Sequence, residues 1–466
     1  MSKDKWQPAY YLEGHKPAWE TDETASSFHN PFGGRKYLWG NTPALDVLKL
    51  GQNEASGDLR RVIKTIANIP EGITQQFRVT MNDMEFDVVA RSVVLLLLAL
   101  TSQDLTNDSE TAETNTPPDI VEALIYVWYS ASIPSGVMSL LQSRVRPLFV
   151  ELCSRIADKP PNAVLAKTWQ FSHGQTLRLA LKKKDWLRLR EFCDVSDNLT
   201  PENAAKICTA VTLAPERVDY RDRCYYKEAS PYMRIAKQRF REDGWLMCDQ
   251  ADPSGGWSTS DIQQTRSPAS GDWYGKFFDI YNINAMELPR ILERGKYSRI
   301  EVANICDIYY LGIRNTLAQL SPLLQLPRQN PHATFLTTFI NAIREIAKHD
   351  KLDEQYGGTD RIIEFLPFTL SSILSPNIPD VIRVWDARDS VADLDEYFQR
   401  YMVFLRFKQI CADLNIEMKE IHTIVEKWPT RLKLQLGEEG AKEEFRALLG
   451  STFIGTEGHV EWRRVG

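Results

Sequence analysis

Ala44-Leu45-Asp46-Val47-Leu48-Lys49-Leu50, then Gly51-Gln52-Asn53-Glu54-Ala55-Ser56-Gly57-Asp58, opens the stretch whose reading decides the fold. An apolar run feeds a polar loop bounded by glycines, and a helical pattern follows from Leu59 to Ile69. Gln76-Phe77-Arg78-Val79-Thr80-Met81 then reads as extended and Asn82-Asp83 closes it. Phe86, Val89, Ala90 and Val93 mark a second helix to Leu100. Strand, loop, helix, strand, helix predicts an α/β fold, a Rossmann-like doubly wound parallel sheet. Ligands of such sheets lie beyond the carboxyl ends of the strands, here the Gly51–Asp58 loop and Asn82-Asp83.

The loop chemistry narrows the ligand class. It is neither G-x-G-x-x-G nor a P-loop, because no Gly-Lys-Ser/Thr follows, so a standard dinucleotide or NTP site is disfavoured. Ser56 stands where a nucleophile would be presented, with a solvated or capping serine as the plainer reading. Asp58 suits the cap of the helix from Leu59. Asp83 fits either a ribose-binding acid at a strand end or another helix cap.

Composition is that of an ordinary globular protein: 466 residues, 43% hydrophobic, 25% charged, net charge −6. The amino terminus has no apolar signal region, and the Val93–Leu100 run is far shorter than the roughly 20 residues that span a bilayer. A cytoplasmic protein without a membrane partner is expected. The seven cysteines include no C-x-x-C pair and the seven histidines no H-x-x-x-H pair, so neither a metal site nor a disulfide framework is predicted.

Outward from the opening stretch, residues 1–36 read as an irregular arm. Residues 37–345 read as the core, with a helical insertion over about 120–290, and 346–466 as a helical carboxyl-terminal region. Inside the insertion, Gln175–Phe192 reads as a helix that carries Arg178, Lys182, Lys183, Lys184, Arg188 and Arg190. Its net charge of +5 over Arg178–Arg190 contrasts with −6 for the chain. Such a helix suits a phosphate backbone, or is simply a solvated face. Arg299-Ile300-Glu301-Val302-Ala303-Asn304-Ile305 reads as a later strand, which puts Asn304 and Asp307 at its carboxyl end. Phe335–Ile346 and Met418–Lys427 read as helices, and His332 as a turn residue.

Several phrases resemble one family: Leu38-Trp39-Gly40-Asn41-Thr42-Pro43-Ala44, Gly57-Asp58-Leu59-Arg60-Arg61-Val62-Ile63-Lys64-Thr65, Phe86-Asp87-Val88-Val89-Ala90-Arg91, Arg299–Ile305 and Asn330-Pro331-His332-Ala333-Thr334. Together they resemble the fungal domain often fused to MYND zinc fingers and shared with axonemal dynein preassembly factors, over roughly residues 37–345. No zinc finger is present in the cysteine pattern, so a dynein-assembly role is not implied. Within that family the chain is similar to fungal arginine-containing cyclodipeptide synthases.

The resemblance implies an enzyme of secondary metabolism that joins two aminoacyl groups, one from arginyl-tRNA and one from a second aminoacyl-tRNA, into a diketopiperazine. It implies no cofactor and no DNA partner. Ser56, Asp58, Asn304 and Asp307 would carry the chemistry, and Asn53, Arg60, Asn82, Asp83 and Glu301 would bind substrate. The basic residues Arg178 to Arg190 would hold tRNA, and the acids Asp58, Asp83, Glu301 and Asp307 suit a guanidinium. An S-adenosylmethionine-dependent methyltransferase and a non-catalytic scaffold are the alternatives.

Overall fold

A computed structural model describes residues 7–18, 44–49, 59–70, 73, 76–101, 120–130, 133–172, 174–196, 199–213, 218–227, 231–243, 276–351, 364–365, 382, 387, 391, 394–450 and 455–466. The chain divides into two compact units, 1–40 with 69–285 and 41–68 with 286–466. Both combine helices with a four-stranded sheet.

In the first unit the strands are β1 (Phe77–Asn82), β2 (Val164–Gln170), β3 (Thr176–Lys182) and β4 (Lys276–Tyr281), in the order β1-β4-β3-β2. β4 runs parallel to β1 and β3, and β2 is antiparallel to β3. Phe77, Val79 and Met81 alternate with Arg78 and Thr80, so β1 buries one face and leaves the other polar. The helix Phe86–Thr101 is buried around most of its circumference, as its unbroken apolar composition requires. Trp186 packs edge-on to Trp169 of β2 at 5.9 Å, and its Nε1 donates to Leu165 O at 3.1 Å. The helix from Ser135 to Arg155 widens to a π-turn over Leu141–Val145, two residues ahead of Pro147. Proline has no N–H for the regular ladder, and the wider turn accommodates it.

The second unit contains β5 (Arg299–Val302), β6 (Thr334–Phe339), β7 (Ile416–Met418) and β8 (Gly458–Arg464), ordered β5-β6-β8-β7. β5 and β6 are parallel, while β8 is antiparallel to β6 and β7. One face is aromatic. Phe339 meets Phe398 at 5.3 Å and Tyr401 at 5.9 Å, and Trp462 Nε1 donates to Thr337 Oγ1 at 2.9 Å. Glu301, Leu336 and Glu461 lie in register across the sheet. Glu461 accepts from the N–H groups of Thr423, Ile424 and Val425 and from Lys419 Nζ, and these hold its carboxyl below the usual range despite burial.

Several expectations need correction. Residues 44–49 form no strand: the Asp46 carboxylate accepts from the N–H groups of Leu48 and Lys49 at 3.0 and 3.1 Å and turns the backbone there. Gln175–Phe192 is not one helix, because Leu177, Leu179 and Leu181 alternate as the buried face of β3 and the helix starts at Lys183. Phe335–Ile346 is β6 followed by the helix Ala342–His349. Met418–Lys427 is not helical, since Glu461 draws the N–H groups of residues 423–425 to itself. Both sheets are mixed rather than wholly parallel, and β2, β3 and β4 fall within the stretch expected to be a helical insertion. Among the described residues no helix is long and apolar enough to cross a membrane.

Candidate active site

The second unit gathers ionisable side chains at the carboxyl ends of its parallel strands. After Val302 the chain forms a short 3-10 turn, Asn304–Cys306, fixed by Asp307 N donating to Asn304 O at 3.1 Å. Asp307 is fully buried. Its Oδ2 accepts from Ile340 N at 3.2 Å, Asn341 N at 3.0 Å and Asn341 Nδ2 at 2.9 Å. The carboxylate therefore joins the loop after β5 to the start of the helix after β6. Its other oxygen, Oδ1, has no hydrogen-bond partner among the described residues.

Burial, and then the nearby Glu345, push the Asp307 carboxyl up to about 7 although the three donors favour its charged form. Glu345 lies on the helix Ala342–His349, and its Oε2 accepts from Tyr401 Oη at 2.8 Å. Burial raises Glu345 as well; the Tyr401 hydroxyl and the N–H groups of Ile308 and Tyr309 act in the opposite sense. Burial, then Glu345, push the Tyr401 phenol far up, so it serves as a donor. Cys306 is buried with its thiol directed at Thr338 O, 3.0 Å away, and burial keeps it protonated. The result is a buried acid cluster, Asp307–Glu345–Tyr401, in which burial raises both carboxyls.

Of the residues singled out from sequence, Asn304 and Asp307 lie at this strand end, Asn304 half-buried in the turn. Glu301 belongs to β5, but its side chain is 3% exposed and ion-paired with Arg61, itself 2% exposed on the helix Leu59–Ala67. Arg60, beside it, is half-buried. Ser56, Asp58 and Asn53 lie outside the described residues.

Asn82 and Asp83 belong to the first unit. Asn82 exchanges hydrogen bonds with the backbone of Ile283, at 3.0 and 3.3 Å. Asp83 Oδ1 accepts from Glu85 N at 2.7 Å, a turn contact just ahead of the helix Phe86–Thr101.

The basic residues divide by what they touch. Arg178 Nη1 donates to Tyr281 Oη at 3.2 Å from within β3. Lys183 Nζ donates to Ala157 O and Lys159 O, both at 2.6 Å. Arg188 pairs with Asp87 and lies over the Phe86 ring, while Arg190 is 4.0 Å from Asp194. Lys182 and Lys184 are exposed, and among the described residues neither ammonium has a partner.

Sequence reading missed Glu345, Tyr401, Asn341 and Arg61. Asn341 followed by a helical repeat is the available signal, and the apolar run Phe335–Ile346, which reads as one helix, obscures it. Among the described residues no group of three or more His, Cys, Asp or Glu side chains is placed to hold a metal ion.

The sequence profile of a family described as a domain of unknown function (DUF4470) matches residues 38–133, a span that contributes to both compact units. No curated protein and no solved structure matches the chain.

Proposed function

We propose that this protein is a tRNA-dependent cyclodipeptide synthase that joins two aminoacyl groups, one of them arginine, into a diketopiperazine. The observation that carries this reading is the buried Asp307–Glu345 pair at the carboxyl ends of β5 and β6, with Asp307 titrating at about 7. An α-ammonium group, whose ordinary pKa is about 7.7–8.0, must lose a proton before it attacks an ester. A carboxylate titrating near neutrality suits that transfer.

In the first step the amine nitrogen of one aminoacyl-tRNA attacks the ester carbonyl of the other. A C–N bond forms and the ester C–O bond breaks; Asp307 takes the ammonium's first proton and later releases it to solvent, and the second proton, shed by nitrogen as the bond forms, goes to the released 3′-oxygen. The remaining free amine then closes on the second ester in the same way, which completes the ring and frees the second tRNA. Ser56 is the candidate nucleophile for a covalent variant of the first step. The parallel pair β5–β6 with the helix after it is the Rossmann-like part in this reading, and the exposed Lys182 and Lys184 supply phosphate contacts.

The methyltransferase alternative draws on a βαβα start and on Asp83 at the end of a strand; residues 44–49 form no strand, which weakens the first of these supports. The test is mass spectrometry of purified protein with charged tRNAs and of a heterologous host expressing the chain. An arginine-containing diketopiperazine that disappears on RNase treatment is expected. Its absence from both preparations removes the reading.

A further inference from the structure

Asp307 is followed at once by Ile308, Tyr309 and Tyr310, which are 40%, 69% and 44% exposed. Single exposed apolar residues are ordinary. These three are consecutive, on a backbone that is locked rather than slack. Tyr310 N donates to Asp307 O at 3.1 Å and Leu311 N to Ile305 O at 3.0 Å, and Gly312 turns the chain with φ +74°. The N–H groups of Ile308 and Tyr309 also favour the charged form of Glu345, so this loop forms part of the acid cluster's wall. Among the described residues neither tyrosine side chain stacks on another ring or has a hydrogen-bond partner.

We propose that Tyr309 and Tyr310 form a stacking platform for an unpaired nucleobase. The origin of that base rests on the function proposed above: it would belong to the single-stranded 3′ end that bears the aminoacyl ester. The chemistry favours a base over a protein partner. A stable protein interface needs about 800 Å² on each side. Here the exposed apolar run is three residues long, and beyond Ile313 it meets the exposed polar pair Arg314 and Asn315. Tyrosine presents a flat ring with few rotamers, and every base has a face to lay on it, at about 1–3 kcal/mol per stacked base. Tyr309 and Tyr310 follow Asp307 within three residues along the chain, which suits a ligand whose terminal nucleotide is covalently joined to the reacting ester.

The experiment titrates the full chain into a fluorescein-labelled RNA ending in unpaired CCA and follows anisotropy. A matched RNA with an abasic terminal position serves as control. Tyr309→Ala and Tyr310→Ala should each weaken binding about tenfold or more, the equivalent of roughly 1.4 kcal/mol. Tyr→Phe at either position should stay within about twofold of wild type, and Tyr→Leu should behave like Tyr→Ala. Thermal unfolding midpoints matching wild type establish that these surface variants fold. Diketopiperazine formation is measured in parallel.

Aromatic-dependent RNA binding without any product from wild type leaves the platform standing and removes the synthase reading. Product from wild type, with RNA binding indifferent to both Tyr→Ala changes, overturns the platform and leaves the synthase. Binding retained by Tyr→Leu, or equal affinity for the abasic RNA, also overturns it in favour of a generic apolar contact.

Discussion

Tyr401 donates its hydroxyl proton to Glu345 Oε2 at 2.8 Å, with both side chains buried, and that glutamate in turn raises the carboxyl of Asp307. A phenol on one helix thereby sets how a carboxylate on another meets the acid at the strand end. Tyr401→Phe keeps the ring and removes the donor. Folding stability should fall by about 1–3 kcal/mol, the cost of leaving a buried acceptor without its donor. Urea unfolding at pH 7.5 reads this directly, and an unchanged midpoint and slope contradict it.

Asp307 predicts a pH dependence of definite sign. Its folded-state carboxyl titrates at about 7, against an ordinary 3.8. Between those values the folded protein holds a proton that the unfolded chain has released. Asp307 therefore contributes stability that is present at low pH and is lost as pH rises through about 7. Asp307→Asn removes this term, and stability should decline less from pH 5 to pH 8 than in wild type, by on the order of 2–4 kcal/mol. Parallel pH profiles for the two proteins sink the assignment.

Arg61 and Glu301 form an ion pair with side chains 2% and 3% exposed. Glu301→Leu removes the carboxylate that a buried guanidinium pairs with and should cost about 3–5 kcal/mol. The double change Arg61→Met with Glu301→Leu should recover most of that loss, because it removes both buried charges together. A double-mutant cycle in guanidinium chloride measures it; additive losses would mean that the two residues do not act as a pair.

The basic segment yields a contrast within three consecutive lysines. Lys182 and Lys184 are exposed, whereas Lys183 is engaged by the carbonyls of Ala157 and Lys159. Reversing Lys182 and Lys184 to Glu should make the salt dependence of tRNA binding shallower by about 1.5 in log–log slope. Lys183→Glu should lower the unfolding midpoint and leave that slope nearly unchanged. Equal effects of all three on the slope would show that Lys183 is not committed to its carbonyls.

What the sequence revealed of this arrangement depended on how local the causes were. Asp307 was legible because the alternation of Arg299 to Val302 is followed by a break, and a strand's carboxyl end is a general place for ligands. β1 and the helix Phe86–Thr101 were legible for the same reason. Glu345 and Tyr401 were not, since their pairing spans 56 residues and no periodicity encodes it. Arg178 and Lys182 share a face in a helix and also in a strand, so charge spacing chose the wrong period where Leu177, Leu179 and Leu181 held the right one. Asp46, set within an apolar run, was the overlooked mark of a turn. The backbone around residues 423–425 follows a carboxylate 36–38 positions away, beyond any local pattern.

β8 lies between β6 and β7, and the unit it completes also includes the helix Leu59–Ala67. During synthesis that helix leaves the ribosome hundreds of residues before the strand that closes its sheet. Until Gly458–Arg464 emerges, β6 has an open edge and the backbone around Thr423 lacks Glu461. The unit therefore cannot complete this sheet until Gly458–Arg464 has been made, and its early helix is synthesised long before that.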